Sequence, residues 1–274
     1  MARVLILSSY VASSRVGGGA QALALARLGI EPILIPTVLF GRHPGHGPPG
    51  GGPVDAETFE AMIGAVEAQG HFARLDAVIS GYFSSPEQVA IAADTLGRVK
   101  AAAPDARLMV DPIMGDEGKG LYVKDAVAEA ISTLLVPRAD IVAPNAWELG
   151  RLTGRVVSDP ASAVAAARAL GKQMIVSSIR AGGEIGVVYV EAGEAWLASH
   201  PAATAAPNGT GDLLTVLFTA ALLGGFASPD ALTLAVGGIA EAVGEAMGLD
   251  ELPLTSFPTT LAASSLVRLE PLHG

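Results

Sequence analysis

Short apolar runs alternate along the chain with stretches whose apolar positions recur at helical spacing. Val4–Leu7 reads as a buried strand, and Ala20–Leu28 as a helix that stops at Gly29. Ile33–Val38 gives the second strand. Residues 41–53, G-R-H-P-G-H-G-P-P-G-G-G-P, carry no apolar period and read as a loop, after which Asp55 stands where a helix cap belongs. Leu75–Ser80 is a strand, Pro86 opens a helix to about Ala103, and Arg107–Val110 is a strand ending at Asp111. A helix from about Asp125 leads to strand Asp140–Ala143, helices cover about 145–153 and 160–170, and Met174–Ser178 is a strand. Ile185–Val190 and Ala195–Ser199 pair as a hairpin around Glu191–Glu194, and two apolar helices follow over about 211–224 and 229–247.

This alternation predicts an α/β fold with a mainly parallel sheet covered by helices on both faces and right-handed connections. In such folds ligands bind at the carboxyl ends of the strands. The rule selects Ser9, Gly81, Asp111, Asn145 and Ser178, each at or just beyond an expected strand end. No linker divides the chain and no repeat is visible, so residues 1–274 are expected to form a single domain.

Composition narrows the chemistry. Half of the residues are hydrophobic but few are aromatic, so the core is built from Ala, Val, Leu and Ile. The formal net charge of −10 and the lack of Lys/Arg runs argue against nucleic acid or an anionic membrane surface as the partner. With no cysteine, disulfides, thiolate metal sites and cysteine nucleophiles are excluded. The start, M-A-R-V-L-I-L-S-S, has too short an apolar run for a signal peptide. Uncharged Leu213–Pro229 reaches the lower length limit for a membrane span, but its threonines and Gly pair fit a buried helix better. The expected compartment is the cytoplasm.

Four segments can carry chemistry. N-G-T-G-D, Asn208–Asp212, runs directly into an apolar helix. The N–H groups of Gly209, Thr210 and Gly211 can converge at that helix N-terminus, where unpaired donors and a partial positive charge favour phosphate. Asp212 in the first turn reads either as a helix cap, worth ~1 kcal/mol, or as a base that takes a hydroxyl proton. The helix end is expected to keep it ionised. In D-P-I-M-G-D-E-G-K-G-L-Y-V, Asp111 and Asp116 can hold magnesium near a phosphate or can simply belong to a polar turn. In A-P-N-A-W-E-L, Asn145 and Glu148 have the spacing of a capping box, and Glu148 is also a candidate ligand of magnesium or its water. The Gly trio of V-G-G-G-A lies too far beyond the first strand for a dinucleotide fingerprint and either lets backbone approach a substrate ring or opens a helix. His43 and His46 have no acidic or cysteine companion nearby in sequence, which favours substrate contact or solvent over a metal pair. No G-x-x-x-x-G-K-[ST] phosphate loop is present.

Together and in this order, these segments resemble the ribokinase-like vitamin kinases, from about residue 4 to residue 245. G-T-G-D before an apolar helix carries the superfamily likeness. Thr37-Val38-Leu39-Phe40 with His43, and S-G-Y at 80–82, are most similar to the pyridoxal kinases. The resemblance implies a three-layer α/β/α fold, ATP with Mg2+, pyridoxal as acceptor and a homodimer. It implies that Asp212 is the base, that Gly209, Thr210 and Gly211 form the anion hole, and that Asp111, Asp116, Ala143, Asn145, Glu148, Ser177 and Ser178 serve the nucleotide and metal. Ser9, Val16, Phe40, His43, Pro44, Gly45 and Tyr82 then surround the ring. Departures fall on that ring side: Pro44 stands for the family's threonine, His46 for its tyrosine and Gly18 for its asparagine.

Overall fold

A computed structural model describes residues 1–203 and 206–272. The first half runs β1 (Arg3–Val11), α1 (Gly17–Arg27), β2 (Glu31–Phe40), β3 (Gly51–Pro53), α2 (Ala56–Ala68), β4 (Ala77–Ser80), α3 (Pro86–Ala102), β5 (Arg107–Val110), β6 (Gly115–Asp116) and β7 (Gly120–Leu121). The second half runs α4 (Asp125–Ala130), β8 (Ile141–Val142), α5 (Ala146–Thr153), α6 (Pro160–Leu170), β9 (Gln173–Ala181), β10 (Glu184–Glu191), β11 (Glu194–Pro201), α7 (Thr210–Leu223), α8 (Ser228–Glu245) and β12 (Arg268–Pro271).

One sheet takes the order β12-β11-β10-β9-β8-β5-β4-β1-β2-β3. It is parallel from β9 to β2 and antiparallel at both margins. Side chains alternate across it as strand geometry requires. Val4 and Ile6 face the layer that holds Leu25, Leu217, Phe218 and Leu232 of α1, α7 and α8. Leu5 and Leu7 face the opposite layer, with Phe59, Leu96, Val127 and Ala167 of α2, α3, α4 and α6. The three-layer expectation holds. The uncharged stretch from Leu213 to Pro229 is no single helix: it covers most of α7, whose residues from Asp212 to Leu222 are buried inside the protein, then a turn and the start of α8. No described helix is long and apolar enough to cross a membrane.

Several boundaries move. β1 runs on to Val11, so Ser9 lies inside the strand rather than beyond it. The Gly trio is the first turn of α1, which starts at Gly17 rather than Ala20. The 41–53 loop contains a 3-10 turn at Pro44–His46 and strand β3, which pairs with the end of β2.

The chain leaves β1 toward β2 on one side and returns to β4 on the other, so a crevice opens where these connections part. A ladder of backbone bonds keeps the strand ends level. The N–H of Gly81 donates to Leu7 O (2.9 Å), Asp111 to Ser80 O (2.9 Å), Ala143 to Val110 O (2.8 Å) and Ser177 to Pro144 O (3.0 Å).

Candidate active site

Two helix N-termini meet at this edge. Gly209, with φ +95°, is the N-cap of α7, and Asp212 stands in that helix's first turn. A Cβ at Gly209 would lie 2.3 Å from the carbonyl oxygen of Arg15, so the turn is pressed against the β1–α1 loop. From the other helix, Gly17 donates its backbone N–H to Asp212 Oδ2 at 2.8 Å. Asp212 Oδ1 is buried and accepts no hydrogen bond among the described residues. One carboxylate oxygen is thus fixed by a backbone donor and the other is left for a proton. Asp212 is therefore not the helix's cap.

Burial pushes the Asp212 carboxyl up to about 6, against the lowering effect of the Gly17 bond. The group is ionised at neutral pH, as expected, but with a higher proton affinity than the helix end alone would give. Desolvation outweighs the favourable donors. Above pH 6 the group is still ionised, in the range where a base both exists and has proton affinity.

Asp111, 6% exposed, follows β5 at the centre of the sheet edge. Its Oδ2 lies 3.2 Å from the Thr215 hydroxyl, which is also 3.1 Å from Gly211 O. Burial first, then the charges of Glu148 and Asp212, raise its carboxyl well above the usual range. Glu148, 3% exposed, closes a reciprocal capping box with Asn145, as the spacing predicts. Its Oε2 accepts from Asn145 N (2.9 Å), while its Oε1 accepts from Met114 N (2.8 Å) and Gly115 N (3.3 Å). Asn145 Nδ2 donates to Gly115 O at 2.9 Å, so α5 and the β6–β7 hairpin are laced together. Burial raises the Glu148 carboxyl to about 7, with Asp116 contributing further repulsion. Asp116 sits half-buried in that hairpin, and its Oδ1 accepts from Glu117 N at 2.8 Å.

Asp111, Asp116, Glu148 and Asp212 take part in no ion pair among the described residues. Concentrated, unbalanced negative charge of this kind suits a cation. No three carboxylate or histidine side chains converge on one metal-sized point among the described residues. Magnesium asks for fewer protein ligands, one or two carboxylates together with substrate phosphates and water, and the oxygens of Asp111 and Asp116 are of the kind it takes.

Beyond Glu148, Ser177 forms an isolated parallel bridge with Asn145. Ser178 has φ +62°, the one non-glycine with positive φ among the described residues, at a register shift between β9 and β10. Strain of this kind collects where backbone serves a ligand.

The residues expected on the ring side lie on the ends of β1, β2 and β4 and the loops that follow them. Val16, buried, is the N-cap of α1, and buried Ser9 packs beneath it, its Oγ where a Cβ on Gly17 would go. Tyr82 follows β4; its N–H donates to Ser8 Oγ (3.2 Å) and its carbonyl accepts from Thr37 Oγ1 (2.7 Å). Phe40 ends β2 half-buried. His43 N–H donates to Ser14 Oγ at 3.3 Å. Gly45 N–H donates to His43 Nδ1 at 3.1 Å, which puts the proton of the neutral ring on Nε2. Burial, then His46, hold His43 below the usual histidine range. Pro44 opens the 3-10 turn, a position that needs no N–H, and Pro44 and Gly45 are exposed.

Three contributors escaped the sequence reading. Thr215, one turn after Gly211 on the same helix face, was legible in principle from that spacing. Gln88 is buried, and its Nε2 donates to Thr37 O (2.8 Å) and Val54 O (2.7 Å), pinning β2 beside the crevice. Glu251 accepts a bond from Arg15 N at 2.7 Å, with no local signal to announce it.

Comparison with known proteins places this geometry. The family model for phosphomethylpyrimidine kinase matches residues 46–254. A pyridoxine/pyridoxal/pyridoxamine kinase of Bordetella avium is 36% identical over 230 residues, covering 81% of this chain and 78% of its own. Pyridoxal kinase PdxY of Deinococcus radiodurans is 34% identical over 250 residues, covering 86% and 84%. The crystal structure of pyridoxal kinase from Entamoeba histolytica superposes with a TM-score of 0.92 at 25% identity over 99% of this chain and 100% of that one. Pyridoxal kinase from Leishmania donovani in complex with ADP and pyridoxine gives 0.91 at 26% identity over 99% of each chain. The chain belongs to the phosphomethylpyrimidine kinase family of ribokinase-like enzymes, where it stands with the pyridoxal kinases.

Proposed function

We propose that this chain is an ATP-dependent pyridoxal kinase, converting pyridoxal and ATP into pyridoxal 5′-phosphate and ADP. One observation carries the reading: Asp212 is held by Gly17 N–H through Oδ2 and has a free, buried Oδ1 in the first turn of α7. The 5′-hydroxyl oxygen attacks the γ-phosphorus as the bond from that phosphorus to the ADP oxygen breaks. The hydroxyl proton passes to Asp212 Oδ1. The N–H groups of Gly209, Thr210 and Gly211 receive the charge on the transferred phosphoryl oxygens. Positioning and electrostatics supply most of the acceleration, as in phosphoryl transfer generally.

Asp111, Asp116 and Glu148 would hold magnesium, Glu148 through water because its oxygens already take three backbone bonds. The metal would neutralise developing charge on the phosphates. Ala143, Asn145, Ser177 and Ser178 line the nucleotide end. Ser9, Val16, Phe40, His43, Pro44, Gly45 and Tyr82 enclose the pyridine ring, with His43 Nε2–H available as a donor. A Leishmania donovani pyridoxal kinase of the same fold has been solved in complex with ADP and pyridoxine, which supports a nucleotide and a pyridine compound as the two substrates.

The chain works as one domain in the cytoplasm, where its ATP is found. A homodimer is the proposed assembly, with the neighbouring Tyr10 and Leu39 of β1 and β2, 42% and 51% exposed, on a face a second copy would cover.

Hydroxymethylpyrimidine is the second acceptor to weigh, because the matching family model bears a pyrimidine kinase description and Pro44 and His46 alter the ring side. A panel of pyridoxal, pyridoxine, pyridoxamine and hydroxymethylpyrimidine, scored by kcat/KM for ADP release, tests the assignment. Pyridoxal is expected to lead; a higher kcat/KM for the pyrimidine would replace it.

A further inference from the structure

The β1–α1 loop is the hub of the crevice, and its Arg15 backbone is gripped on both sides, through the peptide before the residue and the peptide after it. Its carbonyl oxygen packs against Gly209, and its N–H donates to Glu251 Oε2 at 2.7 Å. One residue earlier, Ser14 Oγ accepts the N–H of His43; two residues later, Gly17 N–H reaches Asp212. Glu251 projects from a carboxyl-terminal segment that is itself anchored. Leu252, Leu254 and Phe257 are buried in the layer formed by α1, α7 and α8. The Arg27 guanidinium donates twice to Phe257 O, at 2.9 and 2.6 Å.

A carboxylate accepting a backbone N–H makes a charge-assisted bond, roughly twice as strong as a neutral one. Here that bond fixes the Ser14–Arg15 peptide; the next peptide carries the oxygen that rests against Gly209, and the one after it carries the base's donor, Gly17 N–H. We propose that Glu251 is a positioning residue for the catalytic base: it holds the Ser14–Arg15 peptide so that Gly17 N–H stays on Asp212 Oδ2. The inference rests on the assignment of Asp212 as base. It makes the carboxyl-terminal segment part of the active site, although that segment presents no group to the reacting atoms.

The charges around the two ends of this link are few. Asp212 is faced by Asp111 from the end of β5, with Glu148 behind it. Glu251 is sensed by His43, which also lies near His46 and Lys119. None of these is altered in the variants below.

The test compares Glu251→Ala, Glu251→Gln and Asp212→Ala in the full chain. Amide hydrogen exchange at Gly17 is read by NMR, alongside the pH profile of kcat and the melting temperature. Glu251→Ala is expected to speed exchange at Gly17 about tenfold while buried α7 amides keep their rates. It is also expected to move the acid limb of kcat to higher pH, because the bond from Gly17 lowers the Asp212 pKa. Glu251→Gln keeps an oxygen acceptor and is expected to restore both. A lowered melting temperature in Glu251→Ala, with Gly17 exchange and the acid limb both unchanged, would overturn the proposal and leave Glu251 a structural anchor only. Turnover surviving in Asp212→Ala would remove the base assignment itself, and exchange at Gly17 would then still decide whether Glu251 positions that amide.

Discussion

Gly17 and Asp212, 195 positions apart in sequence, are joined by a 2.8 Å hydrogen bond from a backbone N–H to a carboxylate oxygen. The bond ties the N-termini of α1 and α7 together at the edge of the sheet. It also divides the labour of one carboxylate, with Oδ2 held and Oδ1 open. The acid–base behaviour of the enzyme follows from this pair and the burial around it.

Activity should fall as pH drops through about 6, the value to which burial lifts Asp212. A carboxyl in its ordinary range would leave kcat level down to about pH 4. A kcat profile from pH 5 to 8 with saturating ATP, magnesium and pyridoxal is expected to show the limb near 6.

Stability of the ligand-free protein should decline as pH rises through the same region. Asp111, Glu148 and Asp212 all have folded-state values raised above their unfolded ones, the latter two to about 7 and about 6. The folded state therefore binds protons that the unfolded chain has released. The stability that Glu148 and Asp212 contribute is present below about pH 4 and lost as pH rises through 6 to 7, and Asp111 acts in the same direction. Exposed carboxylates with lowered values, such as Glu31 beside Arg3, act in the opposite sense and at lower pH. Asp111→Asn is expected to raise the melting temperature at pH 8 and flatten its decline, while increasing the magnesium needed for turnover. A variant that melts lower at pH 8 would contradict the charge-crowding argument.

Gly209→Ala should damage both the fold locally and the reaction. The position has φ +95°, and the new methyl would sit 2.3 Å from Arg15 O. A left-handed conformation alone costs an L-residue roughly 1–2 kcal/mol, and the loop must also shift. Loss of an aligned anion-hole donor is worth about 10²-fold or more in kcat. Steady-state kinetics at saturating ATP, with thermal melts, separate the two effects.

An asparagine at position 18 should cost stability, because Leu34 and the Ser9 carbonyl must both give way. A Cβ on Gly18 would lie 2.4 Å from Leu34 Cδ1 and 3.1 Å from Ser9 O. Overpacking of this kind costs about 1–3 kcal/mol. Gly18→Asn is expected to lower the melting temperature, and adding Leu34→Ala to recover part of it. Additive losses in the double variant would show that the two residues do not share this space.

Much of this arrangement was legible in the sequence because it is local. The apolar runs at Leu5, Val78, Val110 and Val142 mark strands, and alternation across them sorts the two helical layers. Asp55, Asn145 and Glu148 cap as their spacing requires, since a capping bond spans three residues. The G-T-G-D turn is likewise read within one segment. What stayed hidden depends on distant partners. The short strands at Gly51–Pro53 and Arg268–Pro271 carry too little pattern to show, and exist because β2 and β11 offer them an edge. The positive φ of Ser178 arises at a bulge that no serine announces. Asp212 was read from its helix end, whereas its pKa is set chiefly by burial from several elements. Glu251 lies 236 positions from the peptide it holds.

The most direct measurement is formation of pyridoxal 5′-phosphate from pyridoxal, ATP and magnesium, followed by mass spectrometry together with ADP release, for wild type and Asp212→Ala. Wild type is expected to make one phosphorylated product per ADP, and the variant to lose about 10²–10⁴-fold in kcat while still binding ATP. ADP release with pyridoxal left unmodified, or near-normal product formation by the variant, would contradict the assignment.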